Sequence, residues 1–169
     1  MSEKKLLILN KKQISQKIDR MAYQVWEDNM HEEEIVIAGI ADCGFTLAKR
    51  IKEVLERISG LKVLLMRISL DKNSSHLKAS TDIPVEDCSG KAVVLADDVL
   101  NSGRTLAYGM GVFLNIPLTK LRTMVLVDRS HRIFPVSTDY TGLEISTVLR
   151  EHVDVVLDDE GENDAVYLR

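Results

Sequence analysis

Continuous apolar runs alternate with amphipathic helical patterns along most of the chain, and this alternation restricts the possible fold more than any other feature. An apolar run of five or six residues without polar alternation is typical of a strand that is buried on both faces. Strands are predicted at residues 35–40, 61–70, 92–96 and 123–127. Helices are predicted at residues 12–30, 47–58 and about 104–114. This order predicts an α/β fold, in which a mainly parallel sheet carries helices on both faces.

The C-terminal part of the chain has a different pattern. Short strands are predicted around residues 138–145, 153–157 and 164–168, with little helix between them. We expect these strands to form a small β-rich hood on the main sheet. Neither a repeat nor a linker interrupts the pattern, and a length of 169 residues suits one core. The whole chain, residues 1–169, is therefore predicted to be a single domain.

Composition excludes several classes of protein. The formal net charge of −4 argues against a nucleic-acid binder that depends on a uniformly basic surface. The chain has two cysteines, Cys43 and Cys88, which is too few for a disulfide framework and favours the reducing cytoplasm. Each apolar run is too short for a signal peptide or a membrane span, so we expect no membrane association.

The segment most informative about function is residues 93–105. Its apolar strand leads into two adjacent acids, Asp97 and Asp98, and a turn of small residues then opens a helix. The backbone N–H groups of such a turn, together with the helix dipole, favour an anion such as a phosphate monoester. The turn also supplies hydroxyl groups, a glycine and a positive charge, from Ser102, Gly103, Arg104 and Thr105.

Two carboxylates beside a phosphate site suit a ligand that is only partly anionic. The acids can accept hydrogen bonds from sugar hydroxyls while the turn binds the phosphate, which suggests a 5-phosphorylated ribose. The alternative is that Asp97 and Asp98 only cap the turn and the helix. The apolar strand before them and the Ser-Gly-Arg-Thr turn after them favour the binding site. Other phosphate motifs fit less well, since there is no P-loop sequence and Gly109-Met110-Gly111 lacks a third glycine.

Residues 93–105 resemble the signature with which type I phosphoribosyltransferases bind phosphoribosyl pyrophosphate (PRPP). Residues 126–132, 139–142 and 163–167 are similar to the PyrR family, and this resemblance extends over nearly the whole chain. That family combines uracil phosphoribosyltransferase activity with regulation of pyrimidine operons through messenger RNA. Purine-salvage phosphoribosyltransferases share only the central part.

The resemblance implies an enzyme of nucleotide salvage that transfers 5-phosphoribosyl from PRPP to a nucleobase, with uracil as the expected base. Mg²⁺ would be held mainly by PRPP, and no direct protein ligand for the metal is predicted. Asp97 and Asp98 would be the catalytic residues and would bind the ribose hydroxyls. The residues that would bind the 5-phosphate are Asn101, Ser102, Gly103, Arg104 and Thr105. Related proteins self-associate, so a homo-oligomer is expected.

The resemblance also assigns the binding of the base. Arg129, just beyond its strand, would lie near the base, and Tyr140 and Thr141 match the hood positions that cover it. For Tyr140, an ordinary half-buried aromatic residue is an equal alternative.

The chain departs from the family pattern in the predicted pyrophosphate loop, which contains Asp42, Cys43 and Gly44. The family usually has a basic residue before this glycine, where this chain has Cys43, and Asp42 adds a negative charge. Cys43 is either a reactive thiol at a helix start or a packed, unreactive cysteine.

Two further departures weaken parts of the resemblance. The loop at residues 71–81 looks shortened and lacks the family's Tyr-Arg-Asp-Asp segment, which suggests slow catalysis. The first helix exposes mainly acids, and this argues against RNA binding. Two alternatives to uracil transfer therefore stay open. One is a weakly or non-catalytic regulator that senses PRPP or a nucleotide, and the other is a hypoxanthine or guanine phosphoribosyltransferase.

Overall fold

The computed structural model describes residues 5–71 and 78–169. The α-helices are α1 (Lys11–Asp28), α2 (Cys43–Ile58) and α3 (Arg104–Gly111), and a short 3₁₀ helix spans Val85–Cys88. The strands are β1 (Leu6–Asn10), β2 (Glu34–Ile40), β3 (Lys62–Asp71), β4 (Lys78–Thr81), β5 (Ala92–Leu100), β6 (Lys120–Asp128), β7 (Tyr140–Glu144), β8 (Val153–Val156) and β9 (Ala165–Leu168).

The main sheet has six strands in the order β4-β3-β2-β5-β6-β7. Strands β3, β2, β5, β6 and β7 pair in parallel, and β4 is antiparallel to β3. Helices α1 and α2 contribute to a core cluster on one face, and α3 contributes to the cluster on the other face. The predicted α/β fold with a mainly parallel sheet covered on both faces is therefore confirmed.

The C-terminal strands divide between two sheets, which corrects one prediction. The strand expected at residues 138–145 is β7, and it extends the main sheet beside β6 instead of joining the hood. The hood is a three-stranded antiparallel sheet, β1-β9-β8, so its third member comes from the N-terminus. The sequence analysis missed β1. Its partner β9 lies at the other end of the chain, and periodicity within β1 cannot reveal that pairing.

The segment predicted as a loop at residues 71–81 also differs. Asp71 ends β3, and residues 78–81 form β4, which pairs with β3 from Ile68 to Asp71. The rest of the predicted loop, residues 72–77, lies outside the described residues. β4 therefore extends the edge of the main sheet next to the carboxyl end of β3.

Helix α1 begins with a capping box. The side chain of Asn10 accepts a hydrogen bond from the backbone N–H of Gln13, and the Gln13 side chain accepts one from the Asn10 backbone. Its buried apolar face belongs to the same core cluster as α2 and Val166 of the hood. Helix α1 therefore fixes the hood relative to the main sheet. In the described ranges, no helix has the length and hydropathy needed to cross a membrane.

Candidate active site

The site lies where the strands of the main sheet stop pairing. β2 and β5 pair only as far as Gly39 and Ala96, whereas β5 continues beside β6 until Leu100. One side of β5 is therefore open beyond Ala96. The chain also changes direction across the sheet between β2 and β5, and in open α/β sheets such a point is where ligands bind. Asp97 and Asp98 lie inside β5 at this opening, which corrects the prediction that the strand ends at residue 96.

A cavity of about 500 Å³ occupies the opening. Its lining comes from the ends of β2 and β3, the start of α2 and the open side of β5. The lining residues are Ile40, Ala41, Asp42, Cys43, Ser69, Leu70, Asp97, Asp98, Val99 and Thr105. The structure thus brings the two predicted catalytic acids together with two residues of the predicted pyrophosphate loop.

A second, smaller cavity of about 100 Å³ adjoins the first. It is lined by residues of the turn between β5 and α3, and it shares Asp97, Val99 and Thr105 with the larger cavity. Gly103 shapes the turn, because its φ of +86° is a conformation that L side chains rarely adopt. Among the predicted phosphate-binding residues, Asn101, Ser102, Gly103 and Thr105 line this smaller cavity. Arg104 is exposed, and its guanidinium lies over the ring of Tyr108.

The two acids bond locally and also face the cavity. Oδ1 of Asp97 accepts a hydrogen bond from the backbone N–H of Asp98 at 2.9 Å, and Oδ1 of Asp98 accepts one from Val99 at 2.8 Å. These are the bonds expected if the acids only shape the turn. A carboxylate can accept more than one hydrogen bond, however, and both residues line the larger cavity. The geometry is therefore compatible with recognition of sugar hydroxyls.

Helix α2 packs directly against this strand. A Cβ atom at Gly44 would lie 2.9 Å from Cα of Asp97, so only glycine permits the close approach. Gly44 is buried and acts as a spacer, and it is not among the lining residues of the larger cavity. The N-cap residue of α2, Asp42, makes no capping hydrogen bond through its side chain. The first N–H groups of α2 therefore begin at the cavity without a side-chain cap.

The environment of Cys43 bears on its two interpretations. Burial raises the pKa of the Cys43 thiol, and the nearby carboxylates of Asp98, Asp42 and Asp97 raise it further. The thiol donates weakly to the carbonyl of Val155 in the hood, with an S···O distance of 3.7 Å. Since the thiolate is the nucleophile, a raised pKa favours the packed, unreactive cysteine.

Arg129 is buried and bonded to protein groups at several of its nitrogens. Nη1 donates to Oδ1 of Asn101 at 3.1 Å, Nε donates to Oγ1 of Thr147 at 3.0 Å, and Nη2 donates to the carbonyl of Glu151 at 2.6 Å. Its backbone N–H donates to the carbonyl of Leu100. Arg129 thus ties the phosphate-side turn to the segment before β8, and it lines neither cavity.

Tyr140 and Thr141, the other predicted base-binding residues, also lie away from both cavities. Tyr140 is buried and pairs with Met124 in the middle of β6. Its hydroxyl donates to Oδ2 of Asp28 at 2.6 Å. Two causes raise the pKa of Tyr140, first its burial and second this hydrogen bond. Oγ1 of Thr141 pairs with the hydroxyl of Thr138. Tyr140 is thus a buried residue of the main sheet, and its role in covering the base stays a prediction beside the alternative of an ordinary half-buried aromatic residue.

Sequence reasoning missed the contribution of β3. Ser69 and Leu70 line the larger cavity, and Arg67 lies two residues before Ser69 with its guanidinium beside Asp42. The prediction of a strand at residues 61–70 contained the necessary signal, because the carboxyl ends of parallel strands meet at one edge of a sheet. The missing information was the strand order β3-β2-β5, which places the end of β3 next to the ends of β2 and β5.

Comparison with known proteins agrees with this geometry. The model of the phosphoribosyl transferase domain family matches residues 7–160, so the chain belongs to the phosphoribosyltransferases and is a pentosyl-transferring enzyme by class. Within that class it is PyrR-like. It is 36% identical over 173 residues to the bifunctional protein PyrR of Bacillus subtilis, covering 96% of this chain and 95% of the relative. It is 34% identical to the PyrR protein of Streptomyces coelicolor, covering 95% of this chain and 88% of the relative.

Solved structures confirm the fold. The hypoxanthine phosphoribosyltransferase of Trypanosoma cruzi superposes with a TM-score of 0.78 at 18% identity, covering 96% of this chain and 94% of the other. A hypoxanthine-guanine phosphoribosyltransferase of Bacillus anthracis gives a TM-score of 0.72 at 23% identity, covering 89% and 86%. At these identities the likeness shows the fold alone. The family match and the PyrR relatives confirm the expectation of a PyrR-like type I phosphoribosyltransferase, and the solved structures confirm its fold.

Proposed function

We propose that this protein transfers the 5-phosphoribosyl group of PRPP to uracil and releases pyrophosphate. The observation that supports the proposal is the pair of adjoining cavities that share Asp97, Val99 and Thr105 at the point where β2 and β5 separate. The smaller cavity suits a phosphate, and the larger cavity suits the ribose, the pyrophosphate and the incoming base. The proposal treats residues 1–169 as one domain, because hood and main sheet share one core cluster.

The ribose 5-phosphate is proposed to bind across the boundary between the two cavities. The 5-phosphate would accept hydrogen bonds from the backbone N–H groups and hydroxyls of residues 101–105, at the start of α3. Asp97 and Asp98 would accept hydrogen bonds from the ribose hydroxyls. Arg129 would act indirectly, by holding the side chain of Asn101.

The reaction breaks the bond between C1 of the ribose and the pyrophosphate oxygen, a ring nitrogen of uracil forms the new bond to C1, and the proton of that nitrogen passes to the released pyrophosphate or to water. As in glycoside cleavage, positive charge develops at C1 in the transition state. The two carboxylates lie on the sugar side of the larger cavity, where they would stabilise this charge. The protein's main contribution would be to orient the sugar and the base.

The phosphoribosyltransferase family uses Mg²⁺ together with PRPP. When bound, this ion offsets the charge of the departing pyrophosphate. The carboxylate oxygens of Asp97 and Asp98 are hard donors that fit Mg²⁺. Residues 5–71 and 78–169 contain no group of three or more potential ligands that could hold a metal ion. We propose that PRPP supplies most of the ligands of this ion.

Uracil is proposed as the base because of the likeness to PyrR proteins. We also propose self-association and a cytoplasmic location, the latter because Cys43 and Cys88 are both free. RNA binding is not part of the proposal. The exposed charged side chains of α1 are Lys11, Lys12, Arg20, Glu27 and Asp28, so the expectation that this helix exposes mainly acids is wrong.

A second candidate function is a regulator that binds PRPP or a nucleotide without turnover. The observation that favours it is the acidic lining of the larger cavity at Asp42, next to Cys43, where a pyrophosphate would have to bind. The two functions differ in turnover and agree in nucleotide binding.

The deciding experiment measures pyrophosphate release with PRPP, Mg²⁺ and a panel of uracil, hypoxanthine and guanine. The proposal expects release with uracil and none from the double variant D97N/D98N. If release is faster with hypoxanthine or guanine than with uracil, the substrate base is a purine. If no base gives release although calorimetry detects binding of uridine monophosphate, the regulator is the correct function.

A further inference from the structure

We infer that Arg67 of β3 binds the pyrophosphate end of PRPP and supplies the positive charge that the rest of the cavity lacks. This inference rests on the proposed function only for the identity of PRPP as the ligand. It concerns a residue outside the segment that binds the ribose 5-phosphate.

The larger cavity has an acidic lining. Three aspartates contribute to it, Asp42, Asp97 and Asp98, and within the described parts of the chain the lining includes no lysine, arginine or histidine. A pyrophosphate entering this space would meet like charges on two sides. Asp97 and Asp98 have neutral partners in the sugar hydroxyls, whereas Asp42 lies at the start of α2, on the pyrophosphate side.

Arg67 lies beside that same aspartate. Its Nη1 atom is 3.7 Å from Oδ1 of Asp42, which is near enough for charge attraction and too far for a hydrogen bond. The side chain of Asp42 is 92% exposed and that of Arg67 is 41% exposed, so both can approach a ligand. The guanidinium is therefore near the mouth of the cavity without being committed to a tight ion pair.

Helix α2 restricts the position of this guanidinium. Its central carbon lies 4.2 Å from the ring centroid of Phe45, in the first turn of α2. This contact places the guanidinium against the first turn of α2, and an arginine that contacts an aromatic ring can still donate two hydrogen bonds to an anion. The backbone N–H of Arg67 also donates to Oδ1 of Asp82 at 2.8 Å, which holds this part of β3 in place.

The register of the sheet places Arg67 close to the cavity-lining end of β3. Arg67 pairs with Gly39 of β2, two residues before Ser69, which lines the cavity. Residues two apart on a strand point to the same face of the sheet, so Arg67 and Ser69 share a face. A pyrophosphate lying between Ser69 and the first N–H groups of α2 would thus be within reach of the guanidinium.

The test compares two ligands that differ only in the pyrophosphate. Calorimetry with Mg²⁺ measures the affinity of R67Q for PRPP and for ribose 5-phosphate. We expect the affinity for PRPP to fall about tenfold or more, as for loss of a hydrogen bond to a charged group, and that for ribose 5-phosphate to stay within about twofold. R57Q is the matched control, because Arg57 lies on the exposed side of α2 and pairs with Asp19. It should leave both affinities unchanged.

A second variant separates direct contact from simple neutralisation of Asp42. If Arg67 contacts pyrophosphate, the double variant D42N/R67Q keeps most of the loss in PRPP affinity. Full recovery in D42N/R67Q would overturn the inference, and so would an equal loss for both ligands in R67Q. Wild-type protein that fails to bind PRPP would overturn both this inference and the proposed function. Tight PRPP binding without turnover of uracil would reject only the proposed function.

Discussion

The two ends of the candidate active site are built in different ways. The end proposed for the 5-phosphate comes from one continuous segment, in which β5, a glycine turn and the start of α3 follow each other between Ala92 and Gly111. The end proposed for pyrophosphate comes from residues far apart in sequence, since Asp42 is the N-cap residue of α2 and Arg67 lies on β3. The backbone of one continuous segment thus forms the 5-phosphate end, and side chains from separate elements form the pyrophosphate end.

This difference has a consequence for charge. At the phosphate end, backbone N–H groups and hydroxyls can bind an anion without a cationic side chain. At the pyrophosphate end, the lining includes Asp42 and Cys43, and the guanidinium that lies beside Asp42 belongs to Arg67 of β3. We therefore expect substitutions in the first end to affect every phosphoribosyl ligand, and substitutions in the second to affect only ligands that carry pyrophosphate.

The largest effect is expected from the double variant D97N/D98N. Removing both negative charges leaves amide groups of similar size, so binding of PRPP and ribose 5-phosphate should fall by about 100-fold or more while the fold remains. Thermal unfolding should change by only a few degrees, because the Oδ1 atoms can still accept from the backbone N–H groups of Asp98 and Val99. Collapse of thermal stability with retained affinity would show that the acids are structural.

The next largest effect is expected from R129M, which breaks the link between the phosphate end and the hood. The buried guanidinium donates to Asn101, Thr147 and Glu151, and methionine leaves these acceptors without that donor. We expect a loss of about 2–4 kcal/mol in the free energy of unfolding, measured by urea denaturation. Affinity for ribose 5-phosphate should also fall. R129K, which keeps the charge, should lose less stability, and an unchanged R129M would contradict this role.

An intermediate effect is expected from G103A in the phosphate turn. The φ of +86° strains any L residue, and the new Cβ would lie 3.3 Å from the carbonyl oxygen of Phe134. We expect a loss of about 1–2 kcal/mol in unfolding free energy and weaker binding of ribose 5-phosphate. G111A at the end of α3 is the matched control, because its Cβ would meet nothing within 4 Å. If both variants behaved alike, the turn geometry would not matter.

The smallest effect is expected from Y140F, which tests whether Tyr140 contacts the base. Loss of its hydrogen bond to Asp28 should cost about 1 kcal/mol of stability and leave the KM for uracil unchanged. A clear rise in the KM for uracil would instead show that Tyr140 takes part in binding the base.

The same variant should change the pH dependence of stability. The Tyr140 hydroxyl lowers the pKa of Asp28 below its ordinary value of 3.8, and Arg122 and Lys120 contribute as well. A lowered pKa gives stability that is present above 3.8 and is lost as the pH falls through the lower folded value. Thermal melts between pH 7 and pH 3 should show a smaller acid-induced loss for Y140F than for the wild type.

Sequence alone predicted most of the local structure at the end of the candidate site that is proposed for the 5-phosphate. Residues 93–105 contain the strand, the acids and the glycine turn in one segment, so their proximity follows from chain connectivity. The predicted strands and helices of the main sheet were also confirmed to within a few residues. Local periodicity determines the type of an element, and for this part of the site that information was sufficient.

The remaining features depend on pairing between distant segments. The sequence does not indicate that β1 pairs with β9, or that the strand at residues 138–145 joins β6 and moves Tyr140 away from the hood. The proximity of Arg67 to Asp42 likewise requires the order of β3 and β2 in the sheet. A strand's neighbours are fixed by tertiary packing, which periodicity in one sequence does not encode.

The most direct test is a crystal structure of the protein with bound uridine monophosphate. We expect the phosphate in the cavity formed by residues 101–105, and the ribose hydroxyls at hydrogen-bond distance from the carboxylates of Asp97 and Asp98. A phosphate bound elsewhere, with both acids bonded only to their own backbone at saturating nucleotide, would contradict this expectation.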